Sequence, residues 1–347
     1  MTMFHTINAR NINHALIDGL WWIYLVGKTS TSRNGPVIVA PGSVMTIYEH
    51  PQERVLFHHL RDCNHYFHFF EALWMLSGQR TVTFLEQFNP RMRDFVDHAA
   101  HGAVNLHGAY GHRWRHMGPH DGHGIDQLRR LISMLKHDPT TRRAVLSMWS
   151  TELDLDYDSK DLPCNTHCYF DRRGEGQPLN MLICCRSNDA IWGAYGANAV
   201  HFSYLLEYLA AAIGCDIGMM YQLSFNLHIY PELEVTKRLT NEALLMIDYA
   251  YELQKVEPYP LLQKDETIQS WDADLEHFMS DPGGDTAYTC KFFGQVAAPL
   301  YTSWQEYKAN NLLLAQTTLE SVQALDWRKA CHEWLQRRID KRAERSG

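Results

Sequence analysis

The chain has 347 residues, 45% of them hydrophobic and 12% aromatic, enough to bury a large core and more than an ordinary single domain needs. A formal charge of −8 leaves no basic footprint for duplex nucleic acid, although the 32 Lys and Arg can still build local anion sites. Eight scattered cysteines with no CxxC pair read as reduced thiols of a cytoplasmic protein, and the apolar run 20–26 is too short to span a membrane.

The first residues carry no basic region followed by an apolar core, so no signal peptide is expected. Residues 13–27 have the apolar spacing of an amphipathic helix ending at Gly27. Residues 29–35 read as a polar loop that carries Arg33. Two strands follow, 37–40 and 44–48, separated by Pro41-Gly42. An aromatic-rich helix over 65–77 stops at Gly78, and another over 125–135 stops before Asp138-Pro139. Segments 143–149 and 179–185 read as buried strands, and 200–213 as a strongly apolar helix ended by Gly214. Beyond about 239 the pattern is mainly helical, with helices near 301–318 and 327–343. The mixture predicts an α+β fold with one main sheet and an added helical C-terminal part.

Of the twenty histidines, His112 and His116 have helical i, i+4 spacing, but no carboxylate stands between them and HEXXH is absent, so no metal is expected. The chemistry-bearing residues lie elsewhere. Cys164 follows Pro163 and leads into a polar strand; a lone cysteine is more often structural, but here its neighbours change the balance. A nucleophilic thiol must ionise, and Arg186 is the cation placed to favour that. Arg186-Ser187 and Arg142-Arg143 can grip a phosphate through forked hydrogen bonds, with Arg33 in support. Glu71 lies one helical turn from Phe67, Trp74 and Met75, so its carboxyl either sits on an aromatic face, which suits a proton carrier, or reaches water from the edge of that face, and the spacing favours neither. Asn198 can both donate and accept, matching the N3 and C4 edge of a pyrimidine, and Asp189 can hold another edge. His228 and Tyr230, two apart, share one face of a strand and can hold a sugar hydroxyl. The set points to covalent chemistry on a phosphorylated pyrimidine.

In order, these segments resemble the thymidylate synthase superfamily, which includes the deoxypyrimidine nucleotide hydroxymethylases. The resemblance covers about 13–235. Besides Arg33 it rests on Glu71-Ala72-Leu73-Trp74-Met75-Leu76-Ser77-Gly78, Tyr110-Gly111-His112-Arg113-Trp114, Ile125-Asp126-Gln127-Leu128, Asp138 through Arg143, Leu162-Pro163-Cys164, Arg186-Ser187-Asn188-Asp189 and His228-Ile229-Tyr230. It implies that Cys164 adds to C6 of the pyrimidine, with Glu71 and Tyr110 in the proton-transfer network. Arg33, Arg186 and Ser187 become phosphate ligands, and Arg142 and Arg143 reach the neighbouring site of a homodimer. Asp189 and Asn198 become base contacts, and His228 and Tyr230 deoxyribose contacts. The implied fold is a mixed main sheet packed by helices, with 1–239 as the catalytic domain and 240–347 as a helical extension on it. The implied partners are a pyrimidine deoxynucleoside monophosphate and the one-carbon donor 5,10-methylenetetrahydrofolate.

The sequence departs from the synthases at four places. Asn165 follows the nucleophile where they carry His. Arg93 and Val96 stand where their folate-side tryptophans lie. The base-reading loop before Asn198 is one residue longer. The chain ends in a charged segment from Arg337 on, without the apolar tail that closes a synthase. A site without that stack and closure favours water over hydride at the last step, hence a 5-hydroxymethyl nucleotide. The amide at 198 favours dUMP; flipped, it serves dCMP. Reductive methylation, as in a thymidylate synthase or dCMP methylase, a non-catalytic nucleotide-binding relative, and a histidine-based metallohydrolase remain as rival readings. Making a hydroxymethyl nucleotide fits a genome with modified bases, as in a bacteriophage, or a nucleoside-antibiotic pathway.

Overall fold

A computed structural model describes residues 4–96, 104–118, 124–242, 246–254, 256–284 and 287–346. The chain opens with strand β1 (His5–Ala9) and helix α1 (Ile12–Val26), whose first amides are capped by the Asn11 side chain. Strands β2 (Lys28–Ser32), β3 (Gly35–Val39) and β4 (Val44–Tyr48) follow. The loop expected at 29–35 is therefore a hairpin: β2 is wholly exposed and polar, so it lacks alternation, and only its pairing with β3 makes it a strand. Helices α2 (His65–Leu76), α3 (Tyr110–His116) and α4 (Gln127–His137) come next, then β5 (Val145–Ser147) and the short α5 (Thr151–Asp154). Strands β6 (Asn165–Asp171), β7 (Leu179–Cys185) and β8 (Asn188–Asp189) lead through a wide helical turn, Ala190–Ala197, into α6 (Asn198–Ile213). Gly214 ends α6 at φ 82, a conformation that favours glycine.

Two sheets form. The main one has six strands in the order β1-β4-β9-β7-β6-β5, where β9 is Ile217–Ser224; β1 with β4 and β7 with β9 are parallel, and the rest antiparallel. The mixed main sheet packed by helices is as expected. A four-stranded sheet, β2-β3-β10-β8, with β10 at Leu227–Ile229, stands beside it; β3 overlaps the strand expected at 37–40, whereas β2 and the two-residue β8 have too little apolar alternation to read from sequence. Inner side chains of β7, Leu179, Met181 and Ile183, are buried against α6, which is itself buried almost all round, as its continuous apolar run requires.

The C-terminal part comprises α7 (Glu234–Glu242), α8 (Ala250–Leu253), α9 (Ile268–Ser280), α10 (Ala298–Lys308), α11 (Leu312–Leu319) and α12 (Leu325–Ser346). The helix expected over 301–318 is two helices, because the chain turns at Asn310, φ 67. Their aromatics join the main core. Phe69 packs on Trp327 and Phe292, Phe70 on Tyr301, and Phe88 lies between Phe70 and Trp304. Tyr66 Oη meets Ser303 Oγ at 2.7 Å. Each fully buried aromatic here contributes roughly 1.5–3 kcal/mol by leaving water. No helix among the described residues is long and apolar enough to cross a membrane.

Candidate active site

The expected residues gather at one end of the main sheet, where β6 begins and β7 and β9 end. Cys164 immediately precedes β6, and its carbonyl accepts the Arg186 backbone amide at 2.9 Å. Tyr110, the first residue of α3, fixes this turn: its hydroxyl accepts the backbone amides of Cys164 (3.0 Å) and Asn165 (3.1 Å). Burial and the nearby Cys164 and Cys185 thiols push the Tyr110 pKa upward, so it stays a neutral phenol.

Arg186 shapes the same turn. Its Nε donates to Pro163 O (2.9 Å) and its Nη2 to Leu162 O (3.3 Å), which leaves Nη1 for a ligand. Burial raises the Cys164 pKa, and the Arg186 and Arg33 charges oppose it without overcoming it. The thiol is thus protonated at rest: Arg186 acts in the expected direction, but desolvation is larger. Arg33 sits at the tip of the β2–β3 hairpin and donates to Lys160 O at 3.3 Å, on the loop that leads to Cys164. Asn34, next to it, donates to Tyr230 Oη at 3.5 Å, so the hairpin tip joins the sugar-side pair. His228 and Tyr230 meet edge-on at 5.3 Å, as residues two apart on one strand face should. Ser187 is half-buried and its hydroxyl makes no hydrogen bond to a described residue.

Asn198, the first residue of α6, belongs to a chain of amides. Asn165 Nδ2 donates to Asn198 Oδ1 (3.2 Å), Asn198 Nδ2 to Asn188 Oδ1 (3.1 Å), and Asn188 Nδ2 to Ser224 Oγ (3.0 Å). All four are buried, and Asn165 Oδ1 has no partner. The orientation of the Asn198 amide is therefore coupled to those of residues on β6, β8 and β9. Asp189 caps the wide turn: its Oδ1 accepts the amides of Ile191 (2.8 Å) and Trp192 (2.7 Å). Burial raises its pKa, against those hydrogen bonds and the charges of His228 and Arg61. The turn needs Gly196, since a Cβ there would lie 2.7 Å from Ile191 O.

Glu71 is buried where α2 crosses α6, and His201 of α6 faces it. Arg142 and Arg143 are exposed before β5, and their guanidinium groups make no hydrogen bond or ion pair with a described residue. They do not join the rest of the site within one chain. The His112 and His116 rings lie 5.0 Å apart, tilted by 35°, and no group of three or more potential metal ligands occurs among the described residues.

Three residues of the site escaped the sequence reading. His201 lies three positions after Asn198 on a largely apolar helix, a spacing that was the available signal. Arg61, in a polar loop without periodicity, lies under the Trp192 indole at 4.1 Å and donates to Ile191 O at 3.0 Å. Trp192 itself is 49% exposed on the wide turn. No motif marks it in the sequence.

Comparison with known proteins shows the family. The sequence profile described as thymidylate synthase matches residues 23–278. The deoxyuridylate hydroxymethyltransferase of Pseudomonas phage M6 is 39% identical across 96% of this chain and 94% of its own length. Proteins of the same name from Bacillus phage SP01 and Delftia phage PhiW-14 are 35% and 28% identical, across 60% and 63% of this chain and 56% and 60% of their own. The chain belongs to the thymidylate synthase family.

Proposed function

We propose that the protein transfers a one-carbon unit to C5 of dUMP and releases 5-hydroxymethyl-dUMP. The observation that carries this reading is the match, along nearly the whole chain, to a phage deoxyuridylate hydroxymethyltransferase. The site supports it in detail. Cys164 stands on a turn held by Tyr110 and Arg186, ready to add to C6 once its proton leaves. Arg186 Nη1, Ser187 and the Arg33 hairpin tip offer phosphate contacts, and His228 with Tyr230 a sugar contact. Asn198 reads the base edge. Its amide chain ends on Ser224, whose hydroxyl can donate or accept, so the whole chain can reverse; dCMP is therefore the second candidate substrate.

Methylenetetrahydrofolate, when bound, supplies the carbon at the oxidation level of formaldehyde. The residues fit a flat heteroaromatic donor: Trp192 offers a half-exposed ring backed by Arg61, and the Asp189 carboxyl lies on the same turn. Arg93 is exposed and paired with Glu86, and Val96 is buried, so neither provides a stacking face. An open site of this kind admits the water that a hydroxymethyl product requires.

A second copy of the chain completes the site in this proposal. The strand registers align Ile47, Tyr221, Leu182, Tyr169 and Val145 in one row across the outer face of the main sheet. Val145, Tyr169 and Met219 on that face are 38%, 45% and 41% exposed. An isologous dimer would cover this apolar face and bring the free Arg142 and Arg143 to the partner's phosphate. Residues 240–347 serve as an extension of the catalytic domain, and the protein works in the cytoplasm, which for a phage protein is the host's.

The test is product analysis by mass spectrometry after incubation with methylenetetrahydrofolate and dUMP, dCMP or CMP. Hydroxymethyl-dUMP and tetrahydrofolate in equal amounts are expected. A methyl product with dihydrofolate would replace this reading by reductive methylation.

A further inference from the structure

Glu71 Oε2 and His201 Nε2 lie 3.0 Å apart, close enough for an ion pair, yet they are off the line of a hydrogen bond and neither has another partner. Both side chains are deeply buried, 10% and 2% exposed. Near the pair, His68, one turn before Glu71 on α2, is a buried imidazole, and Arg61 Nη2 has no hydrogen-bond partner among the described residues. His201 also shares a helix face with Asn198, one turn earlier. The same helix therefore carries both the base-reading amide and the partner of the buried carboxylate. Catalytic hydrogen bonds are often misaligned without substrate and tighten in the complex.

We propose that His201 is a positioning residue for the hydration step: its Nε2–H holds one oxygen of Glu71 so that the other takes a proton from the attacking water. This rests on the hydroxymethyltransferase reading. In the step, the nucleotide carries an exocyclic methylene at C5 and Cys164 at C6. Water oxygen bonds to the methylene carbon, and its proton passes to Glu71. The C5=CH2 electron pair moves onto C5 and O4 as an enolate. The enolate then re-forms C5=C6 as the C6–S bond breaks, and Cys164 leaves as thiolate, which recovers a proton from Glu71 or solvent. No oxidant or reductant is needed. A carboxylate free to rotate would aim poorly at a small, mobile nucleophile, and fixing one oxygen orients the other.

The experiment separates formation of the methylene from its hydration. Tritium released from [5-³H]dUMP reports the first, and hydroxymethyl product the second; added 2-mercaptoethanol traps any methylene that waits. The variants are His201→Met, similar in size without a donor, and His201→Gln, which keeps a donor. For His201→Met, tritium release and nucleotide KM should stay within about 3-fold of wild type, while hydroxymethyl product falls about 10- to 100-fold and the thiol adduct appears. His201→Gln should recover most of the product. The ratio of product to tritium is independent of how much protein folds, and His201→Asn, too short to reach, replaces Met if that variant is insoluble. Product and tritium falling together, an unchanged ratio, or a Gln variant no better than Met would overturn the role. If wild type releases tritium without hydroxymethyl product, the function reading fails instead.

Discussion

Asp62 ties the C-terminal helix to the loop that carries Arg61, and its replacement by Asn gives a measurable prediction. Arg338 Nη1 donates to both carboxylate oxygens at 2.9 Å, Arg337 Nε to Oδ1 at 3.0 Å, and Lys341 Nζ to Oδ2 at 3.3 Å. Burial alone would raise the Asp62 pKa, but the hydrogen bonds and charges of Arg338 and Arg337 outweigh it and bring it from 3.8 to about 2. At about 1.4 kcal/mol per pH unit this is worth roughly 2.5 kcal/mol, which solvent screening of the partly exposed cations reduces to about 1–1.5 kcal/mol. The folded pKa lies below the unfolded one, so the stabilisation is complete above about pH 5 and disappears as pH falls through about 2. Urea unfolding of wild type and Asp62→Asn, taken at pH 7 and stepwise down to pH 3, reads it directly. The variant should be less stable by about 1–1.5 kcal/mol at pH 7, with about half of that gap remaining at pH 3. Equal stability at pH 7, or a gap that does not narrow in acid, would refute the reasoning.

Asn198→Asp should turn the preference toward dCMP, because a carboxylate accepts from the cytosine amino group and repels O4 of uracil; the ratio of kcat/KM values for dCMP and dUMP should rise by at least about 100-fold. The amide chain allows it, since Asn165 already donates to position 198 and Asn188 can flip to donate with Ser224 donating to it. An unchanged ratio would mean that another residue reads the base. Arg142→Ala and Cys164→Ala should each be inactive alone, and a subunit-exchanged equal mixture should regain about a quarter of wild-type activity through sites with Cys164 from one subunit and Arg142 from the other. Exchange without recovery would count against a shared site.

Elements with strong periodicity were legible in the sequence. The β7 range and the ends of α2 and α6 follow directly from apolar spacing and from Gly78 and Gly214. Elements whose stability comes from long-range pairing were not. β2 has no buried residue, and β8 and β10 span two and three residues, so of the second sheet only β3 left a local trace. Among site residues, those in ordered motifs, such as Cys164 and Arg186, were visible. Their mutual use was not: Arg186 holds the carbonyls of Leu162 and Pro163 as well as a vacant nitrogen, and Asn165 is part of a buried amide chain, not simply a replaced histidine. Such roles depend on contacts between residues far apart in sequence, which spacing does not encode.

The extension gives these differences a common physical basis. It holds the site-bearing loops from behind: Asp62 through α12, and the segment after Leu85 through Tyr301 Oη, which donates to Gln87 at 2.9 Å, and through Phe88 packed on Trp304. Phe88 is buried in this contact, and the charged residues Arg337, Arg338 and Lys341 of the anchored helix hold the Asp62 carboxylate. In the proposed reaction Cys164, Asn198 and Glu71 must be held in place while water still reaches the nucleotide, because water is the reactant that separates hydroxymethylation from reduction.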